Sequence, residues 1–91
     1  MRFTWDEGKR GTNLKSHGLD FVDVVKVFEG PTFTFEDDRF AYQEQRFVTL
    51  GFLQGVVVSA VHTETEVEIH VISFRKATSH EERILFQRLE H

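Results

Sequence analysis

Two adjacent cations, Arg75 and Lys76, end the apolar run Val71-Ile72-Ser73-Phe74, and Ala77-Thr78 then lead into a helix-starting sequence. A guanidinium beside an ammonium at a strand end has the donors to hold a phosphate or an acidic partner. The other reading is a solvated strand end. Lys9, Asn13 and His17 are spaced by four, so on a helix they form one polar stripe. A cation, an amide and an imidazole suit contacts to phosphate and base; otherwise such a stripe is a solvated face. Glu44 and Arg46 alternate, which on a strand puts them on one face. There a carboxylate can take a proton beside a guanidinium that holds a phosphate. The alternative is a surface ion pair.

Other chemistries find less support. His62 and His70 flank the last hairpin and could face each other across it, but two histidines are too few for a metal site. His80 reads as surface and Trp5 as core. There is no Ser-His-Asp arrangement, Gly-rich phosphate loop or nucleotide fingerprint.

The elements that position these residues follow from periodicity and caps. Arg2 to Trp5 reads as a short strand. Asp6 caps a polar first helix over residues 7–16, which Gly18 ends. Asp20 caps a second helix, Asp20–Glu29, whose Phe21, Val24, Val25 and Phe28 form one buried face before Gly30-Pro31 stops it. The period then changes to two. Strands are predicted over Thr32–Phe35, Tyr42–Leu50, Val56–His62 and Val67–Phe74, with a polar turn at Glu36-Asp37-Asp38 and another over Gly51–Gly55. Short connections favour an antiparallel meander, and apolar residues on both faces of the last strand place it centrally. Ser79 caps a last helix, with Glu82 completing a capping box. The fold class is α+β: two N-terminal helices packed on a four-stranded antiparallel sheet, with a C-terminal helix.

The 91 residues suffice for one domain. Leu89-Glu90-His91 reads as the start of a vector-derived tail, leaving a single domain at 1–88. With no cysteine, disulfides and thiolate metal sites are excluded. No stretch is long and apolar enough for a membrane span or a signal peptide, so the cytoplasm is the expected location. The net charge of −4 is not that of a non-specific nucleic-acid binder. The cations, however, sit toward the two ends and the acids in the middle, so a local basic patch forms if the ends converge.

Taken in order, Trp5-Asp6, Lys9, Asn13, His17-Gly18-Leu19 with Phe21, Glu44 and Arg46 with Gly51 after them, Ile72-Ser73 with Arg75-Lys76-Ala77, and Glu82-Arg83 resemble the BrnT family of type II toxin–antitoxin toxins. The resemblance runs from Phe3 to about Phe86. It implies a RelE-like fold and a metal-independent endoribonuclease that arrests translation, with RNA as substrate and no cofactor. It also implies a BrnA-like ribbon-helix-helix antitoxin, through which alone promoter DNA is bound. Three positions depart from the family pattern: Ser16 stands where Lys precedes the His, Phe74 where a small residue is common, and Phe86 near a usual Tyr.

Cleavage of RNA without a metal needs a base for the 2′-hydroxyl proton, cations on the phosphate and an acid for the leaving oxygen. His17 and Glu44 are the candidates for proton transfer, Arg46 and Arg75 for phosphate stabilisation, and Lys9, Asn13 and Lys76 for holding the RNA backbone. A second reading breaks no bond: the same charged face docks an antitoxin or another acidic partner, as a non-catalytic binding module.

Overall fold

The computed structural model describes residues 1–90; His91, the end of the tail expected at 89–91, lies outside them. In chain order the elements are β1 (Arg2–Thr4), α1 (Glu7–His17), α2 (Val24–Glu29), β2 (Phe33–Glu36), β3 (Phe47–Leu53), β4 (Val56–Glu64), β5 (Glu68–Lys76) and α3 (Ser79–Leu89).

Asp6 caps α1 by accepting the Lys9 N–H, and Gly18, at φ 72°, ends it in the left-handed conformation that glycine adopts without strain. Asp20 accepts the Val22 N–H as expected, but the turn it caps, Phe21–Asp23, is a 3₁₀ turn leading into α2. Its tighter winding changes which side chains point inward. Phe21, Val24 and Val27 are fully buried, whereas Val25, expected in that face, is 37% exposed.

The sheet order is β1-β5-β4-β3-β2. Strands β2 to β5 pair antiparallel as predicted. The sheet nevertheless has five strands rather than four, because β1 joins its edge in parallel with β5, Phe3 opposite Ile69. That pairing spans most of the chain, and no local signal announces it.

Three further boundaries differ from expectation. The strand predicted from Tyr42 starts only at Phe47. Asp37 gathers the preceding segment into a loop: its carboxylate accepts from the Arg39 guanidinium and the Tyr42 hydroxyl, and its N–H donates to the Arg46 carbonyl. The turn expected over Gly51–Gly55 is confined to Gln54-Gly55, both at positive φ, and Gly51 lies within β3. In α3 the cap is Thr78 with Glu81, one residue before the predicted Ser79 and Glu82.

Each sheet face has its own core. On one, Phe21, Val24 and Val27 pack with Val58, Ala60, Ile69, Val71 and Phe74. On the other, Leu85 of α3 packs with Val48, Leu50 and Val57. His62 belongs to the first core. It is fully buried, its Nε2 lies 2.7 Å from the Thr49 hydroxyl, and its ring sits between Phe28 and Phe47. His70, paired one step along, faces the opposite side and bonds Thr4, so the two histidines do not meet. Among the described residues, no helix is long and apolar enough to cross a membrane.

Candidate functional site

Arg75, three residues before the α3 cap Thr78, reaches from β5 to the first turn of α3. Its Nη1 donates to Glu81 Oε1 at 2.8 Å and to the Lys76 carbonyl at 3.1 Å, and its Nη2 donates to Glu81 Oε2 at 3.1 Å. Glu81 also accepts the Thr78 N–H, which completes the capping box. Burial works to raise the Glu81 pKa, but the hydrogen bonds from Arg75 and Thr78 outweigh it and hold the carboxyl below its ordinary value. The group is therefore an anion facing a cation at neutral pH. Arg75, Glu81 and His80 line a cleft of about 380 Å³, closed on its far side by the turn Glu36–Asp38 and by Arg39.

Arg46 lies beyond that turn. Its guanidinium sits 4.2 Å from the Tyr42 ring centroid and bonds Glu44 at 3.1 Å. Both residues line a separate depression of about 220 Å³, which shares Glu36, Asp37 and Asp38 with the first. Arg46 and Arg75 thus border the two sides of one acidic turn. Glu44 and Arg46 do pair, but in a loop and not on a strand face. Asp37 at the base of the turn is nearly inaccessible, and hydrogen bonding from Arg39 lowers its pKa to about 2. The turn is thereby fixed as a charged structure.

Lys9 and His17 are exposed on α1 and line a third cleft, about 450 Å³, with Thr12, Ser16 and Ile72. Neither lines the Arg75 cleft. Lys76 is exposed at the end of β5. Asn13 lies between Lys9 and His17 in sequence but serves the fold. It is 7% exposed, its Oδ1 accepts the Phe74 N–H, and its Nδ2 donates to the carbonyls of Phe74 and Leu19. Both amide hydrogens are committed, so Asn13 is not an RNA contact. The expected stripe reduces to its two ends.

His80 and Glu81 are the cleft residues that sequence reasoning passed over. Thr78-x-x-Glu81 satisfies the capping-box spacing as well as Ser79-x-x-Glu82 does. Reading the earlier register would have put a carboxylate within reach of Arg75.

In sum, the Arg75 cleft offers a fixed guanidinium, an imidazole and a helix cap at one solvent-open surface. That set can bind a phosphodiester and move a proton beside it. A family model described as ribonuclease toxin, BrnT, of type II toxin–antitoxin systems matches residues 5–81. The crystal structure of the Brucella abortus ribonuclease toxin, BrnT, superposes with a TM-score of 0.69 at 29% identity, covering 87% of this chain and 99% of that one. No curated protein sequence matches. The match over most of the chain, and the solved toxin sharing its fold, place this protein in the BrnT family of ribonuclease toxins of type II toxin–antitoxin systems.

Proposed function

We propose that this toxin cleaves RNA at the Arg75 cleft by transesterification carried by side chains alone. The observation that carries the reading is the fixed strand-end guanidinium sharing one open cleft with an imidazole, His80. The 2′-hydroxyl gives its proton to a base, O2′ attacks phosphorus, the P–O5′ bond breaks, and O5′ leaves with a proton. A 2′,3′-cyclic phosphate and a 5′-hydroxyl result. Arg75 stabilises the charge that gathers on the phosphoryl oxygens. His80, which lines the same cleft, is the imidazole for proton transfer, a role sequence reasoning gave to His17 or Glu44. Those two line other clefts: Glu44 with Arg46 holds the strand across the shared acidic turn, and His17 with Lys9 contacts it from a separate cleft on α1. Lys76 adds charge at the strand end.

The antitoxin that type II toxins are paired with is, in this reading, a BrnA-like ribbon-helix-helix protein, and promoter DNA is reached only through it. The toxin acts in the cytoplasm, where it arrests translation by destroying RNA, and its working domain is residues 1–88. A ribbon-helix-helix reading frame beside this one checks the partner.

Arg75→Ala tests the site. Loss of a preorganised charge donor costs about 10²–10³-fold in rate, so growth arrest should disappear when the variant is expressed without antitoxin. Circular dichroism should still report a folded domain. Arg75→Lys should not restore cleavage, because an ammonium cannot grip two oxygens in one plane. A folded Arg75→Ala protein as toxic as the parent removes Arg75 from the site.

A further inference from the structure

A guanidinium has five N–H donors in a rigid plane. In Arg75, three are committed: both hydrogens of Nη1, to Glu81 and the Lys76 carbonyl, and one of Nη2, to Glu81. The remaining pair, Nε–H and the second Nη2–H, lie parallel along one edge of the plane. Neither has a protein partner among the described residues. A parallel pair of donors is the geometry that takes two oxygens of a phosphate. We infer that Glu81 is a positioning residue that turns this free edge of Arg75 toward the RNA phosphate.

The inference rests on the reading of Arg75 as the phosphate-holding group, and it adds why the group is effective. A free arginine side chain samples many rotamers and would have to be ordered at the moment of reaction. Here the carboxylate is itself fixed. Its side chain is only 14% exposed, and it is tied to the α3 cap through the Thr78 N–H. The helix start thus sets the carboxylate, and the carboxylate sets the guanidinium. Glu81 would also draw charge from Arg75, so its presence is worth keeping only if orientation outweighs the lost potential. That trade is what the experiment reads.

Glu81→Gln separates orientation from helix capping, because Gln also completes a capping box but cannot accept two charge-assisted bonds from Arg75. Cleavage is followed on a mixed-sequence single-stranded RNA bearing a fluorophore and quencher. Binding is measured on the same strand made with 2′-deoxy sugars, which cannot be cleaved. The expected result for Glu81→Gln is a kcat lower by about 10²-fold, the scale of a misplaced catalytic group, with little change in affinity for the deoxy strand. Thr78→Ala removes the cap hydroxyl but keeps the backbone N–H that holds Glu81, so its earlier melting gives the size of the capping loss alone. In an Arg75→Ala background, Glu81→Gln should cost nothing more. On the unmutated protein, the Arg75 Nε–H resonance should shift when the deoxy strand is added.

Wild-type kcat in Glu81→Gln, with Arg75→Ala inactive, overturns the inference and leaves Arg75 in the site. Wild-type kcat in Arg75→Ala overturns the underlying reading instead. A Glu81→Gln loss that removes a limb of the pH–rate profile makes Glu81 a proton acceptor and also overturns positioning. So does a fully additive double variant.

Discussion

Asn13 holds Phe74 much as a neighbouring strand would, taking its N–H and giving a hydrogen to its carbonyl. Strand β1 stops pairing at His70, so the outer edge of β5 beyond it needs a partner, and one amide side chain supplies it. Removing that side chain leaves buried donors and acceptors unmet, at about 1–3 kcal/mol for each such group. Asn13→Ala should therefore destabilise the domain by about 3 kcal/mol, read by urea unfolding. The folded fraction should bind the uncleavable strand like the parent, because the amide was never free to contact it. A stable Asn13→Ala variant with weakened RNA binding would return Asn13 to the interface.

Between elements, α2 rests closely on β3 at Gly51. A Cβ there would lie 2.6 Å from Val27 Cγ1 and 3.2 Å from Thr32 Cγ2. Val27 is fully buried and β-branched, so it cannot swing aside. The glycine lies inside a strand because a helix rests on it, and this also explains why it misleads as a turn signal. Gly51→Ala should cost about 1–3 kcal/mol by overpacking. Val27→Ala added to it should recover part of that loss, whereas Val27→Ala alone should only destabilise. Thermal melts of the three variants form a double-mutant cycle, and strict additivity would mean that the two groups do not meet.

For the molecule as a whole, His62 ties stability to pH. It is fully buried, its Nδ1 has no hydrogen-bond partner, and Glu64 stands 3.7 Å away. Burial pushes its pKa below the ordinary 6.5, and the Glu64 charge only partly opposes this. The folded state thus holds the neutral ring while the unfolded chain takes up a proton at 6.5. The stabilisation is complete above that pH and is lost progressively as pH falls from there toward the folded pKa. The melting temperature should drop over that window, and His62→Gln, which can still meet the Thr49 hydroxyl, should flatten the drop. An unchanged slope in that variant would assign the pH dependence to other groups.

What the sequence determined by itself was what neighbours along the chain decide. The caps Asp6 and Asp20, the αL stop at Gly18, the alternation of β4 and β5 and the ordered spacing of the family residues all express local geometry, so they could be read before folding. What only the tertiary structure decided involves partners far apart in the chain. Nothing near Arg2 says that it will lie parallel to Glu68. Asn13 is an amide of the right type for RNA until the open edge of β5 claims it. The pattern of Tyr42, Glu44 and Arg46 fits a strand until Asp37 folds it into a loop. Thr78 and Ser79 offer equally good caps on paper, and the choice between them brings Glu81, not Glu82, to Arg75. In each case the residue types fixed a set of possible hydrogen bonds, and the packing of distant segments selected among them, because a buried donor or acceptor must find whichever partner the fold leaves open.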